Sequence, residues 1–68
     1  MNVPLPSLRL RRHEAALTQV ELAQRAGVTP VTIVHLEAGH PARMSTIRKI
    51  ARALKVKPAD LIAKQEED

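Results

Sequence analysis

Two glycines, Gly27 and Gly39, together with the start signals ahead of each, cut the middle of this chain into two short helices, and few other structures fit that punctuation. Upstream of Gly27, the run Thr18-Gln-Val-Glu21 has the capping-box pattern, in which the threonine and the glutamate each satisfy a free backbone N–H. Gly27 then offers the left-handed conformation that closes a helix. Thr29 can cap the next segment, Pro30 suits its first position, and Gly39 stops it about ten residues later. Val28 to Val34 is rich in β-branched residues and by propensity alone reads as a strand. The caps decide for helix, as do Ile33, Leu36 and Thr32 on one face at helical spacing; burial rather than propensity must hold it.

The same reading extends to both ends and predicts an all-α fold of five helices. A basic helix runs from about Ser7, its expected cap, to Ala16, and carries Arg9, Arg11, Arg12 and His13. After the loop Gly39–Ala42, a fourth helix over about Met44–Leu54 has the apolar stripe Ile47, Ile50, Ala51, Leu54. Arg48, Lys49, Arg52 and Lys55 lie opposite and read as a solvated face. A fifth helix starts at Pro58 and carries Leu61 and Ile62. The expected organisation is an N-terminal arm over 1–6, one domain over 7–63 and an acidic tail over 64–68. Sixty-eight residues bury only about 60% of their unfolded surface, so the core is marginal. With no cysteine to staple it, stability must come from packed helices or a partner subunit. No apolar run is long enough to span a bilayer, and 1–6 lacks the basic-then-apolar order of a secretory leader; a cytoplasmic chain with no membrane contact is expected.

Charge and composition narrow the partner. Eleven Lys and Arg oppose seven Asp and Glu, and three of those acids are Glu66, Glu67 and Asp68, which leaves a strongly basic body suited to a polyanion. The chain has no Phe, Tyr or Trp on which unpaired bases could stack. Double-stranded DNA is therefore favoured over single strands or RNA.

Two short helices joined by a glycine-containing turn form a helix-turn-helix, whose second helix enters the major groove. The stretch Leu17-Thr-Gln-Val-Glu-Leu-Ala-Gln-Arg-Ala-Gly-Val-Thr29, with Thr32-Ile33, Leu36-Glu37, Gly39, Thr46-Ile47, Ile50-Ala51, Ala53-Leu54 and Asp60-Leu61, resembles the Cro/cI-type (XRE-family) helix-turn-helix. The resemblance covers about Leu8 to Ala63 and implies a lambda-repressor-like domain that regulates transcription as a homodimer. It places Pro30, Val31, Val34 and His35 where relatives read bases. It places Arg9, Gln19, Thr29, His40, Arg43 and Ser45 where they grip phosphates, Gln19 also bracing the reading helix. Arg12 and Glu37 match a pair that bridges helices one and three in many relatives. Relatives often have leucine where this chain has Arg11.

Several relatives read bases with side chains that offer paired donors and acceptors, whereas Pro30, Val31 and Val34 offer none. Thr32 and His35 are left as the side chains best able to hydrogen-bond a base edge, although His35 also fits a phosphate neighbour or a spectator. The apolar edge motivates a competing reading, a protein-interaction module such as an antitoxin with a protein partner. Val56, Leu61 and Ile62 form the expected self-contact surface. His13, His35 and His40 lie on separate segments without paired ligand spacing, so no metal or other cofactor is expected. Nor is an enzyme: Ser7 and Ser45 have no base at a fitting spacing, and so small a domain leaves no ordinary pocket.

Overall fold

A computed structural model describes residues 1–64 and contains five helices: α1 (Leu8–Glu14), α2 (Gln19–Ala26), α3 (Pro30–Glu37), α4 (Met44–Leu54) and α5 (Pro58–Ile62). Two-residue strands β1 (Asn2–Val3) and β2 (Ala42–Arg43) pair antiparallel, with Asn2 opposite Arg43 and Val3 opposite Ala42. All but Lys64 of the acidic tail lies outside the described residues.

Local chemistry sets the helix ends. Around Thr18 the capping box is closed, with Glu21 N donating to Thr18 Oγ1 at 3.1 Å and Thr18 N to Glu21 Oε1 at 2.9 Å. Gly27 takes φ 74°, ψ 32°, and Val28 N donates back to Ala23 O at 3.0 Å, which turns the chain sharply into α3. Lys55 ends α4 in the same left-handed region, φ 58°.

Every helix contributes a fully buried branched side chain: Leu8, Leu22, Ile33, the pair Ile47 and Ile50, and Leu61. With α2 packed on both α3 and α4, and α5 on α4 and α1, these six form one core. Burial, not propensity, makes β-branched α3 a helix, since Ile33 and Leu36 anchor its inner face.

Three expectations need correction. Residues 1–6 are not a free arm: β1 is paired and Leu5 is 2% exposed in the core. Ser7 does not cap α1 with its side chain; its hydroxyl donates to Ala63 O and its N–H to Leu61 O at 3.2 Å, which ties α1 to α5. Leu61 cannot belong to a self-contact surface, because it points into its own core with no exposure, while Val56 and Ile62 remain partly exposed beside it. Arg11, where relatives often have leucine, is half-buried, and its Nη1 donates to Glu14 at 3.2 Å.

Candidate nucleic-acid interface

The rotation of α3 about its axis is fixed by what it buries. Ile33 and Leu36 face the core, so Pro30, Val31, Val34 and His35 face solvent, with Val31 61% and Val34 45% exposed. An eight-residue helix that shows two valines to water has an edge that gains by being covered. The ring of His35 lies 5.3 Å from that of His40, tilted by 46°, and the His40 N–H donates to the His35 carbonyl at 3.1 Å. Thr32 is half-buried and differs from His35: its hydroxyl sits 2.9 Å from Thr29 Oγ1, which also accepts the Thr32 N–H at 3.3 Å. Thr29 thus caps α3, and Thr32 is held to that cap while His35 stays at the open edge.

A buried carboxylate sets the tilt of α3. The Glu37 side chain is 1% exposed and accepts four hydrogen bonds: from Arg12 Nε at 2.6 Å and Nη2 at 3.0 Å, Gln19 Nε2 at 3.1 Å and Arg9 Nε at 3.3 Å. Arg12 also donates through Nη1 to Leu17 O at 2.9 Å, so a single guanidinium links α1, the loop before α2 and the end of α3. Burial by itself raises the Glu37 pKa, but the Arg12 hydrogen bonds and charge, with Gln19 and Arg9, outweigh it and hold the carboxyl below its ordinary value. The same hydrogen bonds raise Arg12.

This network divides the residues expected at phosphates. Arg9 and Gln19 each give a donor to Glu37, so both brace α3, and Arg9, with 64% of its side chain exposed, still faces solvent. His40, Arg43 and Ser45 are exposed on the loop and the start of α4. Arg43 and Ser45 line a polar groove of about 350 Å³ together with Asn2, Thr32, Thr46 and Lys49. Asn2, Thr46 and Lys49 enter this group only through folding. A two-residue strand has no sequence signature, and Lys49 shares its helix face with cations that read as solvated.

Among the described residues, no helix is long and apolar enough to cross a membrane. Residues 8–61 match the helix-turn-helix family. An uncharacterized HTH-type transcriptional regulator from Methanothermobacter thermautotrophicus is 48% identical over 48 residues, which cover 69% of this chain and 70% of the relative. The crystal structure of a hypothetical transcription factor from Neisseria superposes with a TM-score of 0.78 at 29% identity; the match covers 85% of this chain and 66% of that one.

Proposed function

We propose, from the premise that this chain belongs to the Cro/cI-type helix-turn-helix family and is a DNA-binding transcriptional regulator, that it docks α3 in the major groove of duplex DNA as a homodimer. The observation that carries this reading is the orientation of α3. The Glu37 network and the buried Ile33 and Leu36 aim Val31, Val34 and His35 outward.

On this reading Val31 and Val34 pack on thymine methyl groups and His35 hydrogen-bonds a base edge, while Arg43, His40, Ser45 and Arg9 contact phosphates. Partial exposure of Val56 and Ile62 supports a self-contact at the α4–α5 end, and two-fold symmetry then calls for half-sites about 34 Å apart. On the same reading the chain acts by binding and not by catalysis, in the cytoplasm. Neither relative is described as a protein-interaction module, so the competing reading has no support from them.

Selection from a random duplex library, followed by titration of the selected duplex at two salt concentrations, tests this function. Affinity should fall steeply with salt, by about 0.9 log units per log unit of salt for each phosphate neutralised. Affinity that ignores salt, or a library that yields no preferred sequence, overturns it.

A further inference from the structure

We propose that the N-terminal strand belongs to the DNA-binding surface, with the Asn2 side-chain amide donating to a backbone phosphate seated in the groove between α3 and the start of α4. The proposal rests on the DNA-binding reading above and adds to it a contact from an element outside the helix-turn-helix itself.

Strand register supplies the geometry. Side chains alternate across a strand, and Val3 and Ala42 take the inner face, Val3 partly buried against the core and Ala42 3% exposed. Asn2 and Arg43, the other opposed pair, are therefore neighbours on the outer face, with Cβ atoms about 5 Å apart in such a pairing. Both line the polar groove. Its other walls are Thr32, Ser45, Thr46 and Lys49, together with the apolar Leu36, Pro41 and Ala42.

Chemistry identifies the occupant. Among the described residues, two cations and four uncharged donors line the groove beside the apolar Leu36, Pro41 and Ala42, and no acidic side chain does. Such a surface suits an anion with several acceptor oxygens, and a phosphodiester is that anion. Thr32 comes from α3 itself, so the groove flanks the reading edge, where the phosphates bordering a major groove run.

Preorganisation separates this contact from that of a trailing arm. Leu5, 2% exposed, anchors the segment in the core, and the β1–β2 pairing fixes Asn2 before DNA arrives. Binding then costs little ordering entropy in the N-terminal segment, which raises the worth of a single amide.

The test uses the full chain and the duplex it selects from a random library. Asn2→Ala should weaken binding about tenfold or more, the worth of one hydrogen bond to a charged group, and leave the salt slope unchanged. Asn2→Lys puts a cation at the same place and should steepen the slope by about 0.9, a readout independent of any loss of folding. Arg43→Gln, measured in parallel, should flatten it by a similar amount. If both Asn2 variants keep wild-type affinity and slope while Arg43→Gln flattens it, the N-terminal strand is not part of the surface and the DNA-binding reading stands. If the wild-type chain shows no salt-dependent duplex binding, that reading falls and this inference falls with it.

Discussion

Arg12 and Glu37 clamp the first helix to the end of the third through a two-point contact, Nε to Oε2 at 2.6 Å and Nη2 to Oε1 at 3.0 Å. Both side chains are withdrawn from water, at 11% and 1% exposure, so removing one partner strands the other. Glu37→Ala should destabilise the fold by about 3 kcal/mol, a fall in Tm of about 12 °C or more in a domain this small. Replacing both, as Arg12→Met with Glu37→Leu, removes the stranded charge and should cost less than Glu37→Ala alone. Thermal melts of the three variants check the order.

Acid should loosen the same joint. The Glu37 pKa is lowered on folding, so its contribution is complete above the ordinary glutamate value of about 4.3 and disappears as pH falls through the lower folded value. Glu21 behaves in the same direction, held down by the Thr18 backbone N–H and then by its hydroxyl. Urea midpoints between pH 7 and pH 3 should therefore drop, and the drop should be smaller in Glu37→Gln, where one of the two groups no longer titrates. An equal drop in both proteins would remove Glu37 from the explanation.

Gly27 is required for its backbone and not for its lack of volume. A Cβ there would meet nothing within 4 Å, but φ is +74°. Gly27→Ala should cost about 1 kcal/mol from the left-handed conformation alone, and Gly27→Asn less, because asparagine tolerates that region. Denaturant titration separates the two; equal stability of glycine and alanine would show that the turn relaxes.

What could be read from the residues and what could not divide along sequence separation. The capping box at Thr18, the Gly27 turn and the Thr29–Pro30 start are written in neighbouring residues, and all three take the expected form. Contacts between distant segments left no such trace. The β1–β2 pairing joins residues about forty apart through two residues a side, too few for an alternating pattern. A serine cap looks only forward along the chain, whereas the partner of Ser7 is at Ala63. In a five-residue helix such as α5, Leu61 and Ile62 are adjacent apolar residues, and only packing on α4 and α1 shows which one the core takes. The convergence of Arg9, Gln19 and Arg12 on one carboxylate likewise depends on how α1, α2 and α3 meet.

The exposed edge of α3 allows binding to be damaged without damaging the fold. Val31 is 61% exposed, so Val31→Glu should change stability by no more than about 0.5 kcal/mol. Its carboxylate would face the phosphate-lined groove, and affinity for the selected duplex should fall more than tenfold at low salt. His35→Ala should relax preference at one or two base positions and leave the salt slope in place. Electrophoretic mobility shifts on single-base variants of the selected site give both readouts. A Val31→Glu protein that binds like wild type would mean that α3 does not face the DNA.

Leu61 and Ile62 separate folding from self-association at adjacent positions. Leu61 has no exposure and fills the core between α5 and its neighbours, so Leu61→Ala should destabilise the monomer by about 2–5 kcal/mol. Ile62 is half-buried and packs against the edge of that core together with Val56, which leaves apolar surface for a second copy. Ile62→Lys keeps the monomer core intact and places a like charge on each side of the proposed two-fold interface. Its melting temperature at low protein concentration should stay near wild type. Sedimentation equilibrium should shift from dimer to monomer, and binding to a duplex with two half-sites should lose cooperativity while a single half-site is bound as before. If Ile62→Lys sediments as a dimer, the two copies meet elsewhere; if the wild-type chain is monomeric and binds paired half-sites independently, no such interface forms.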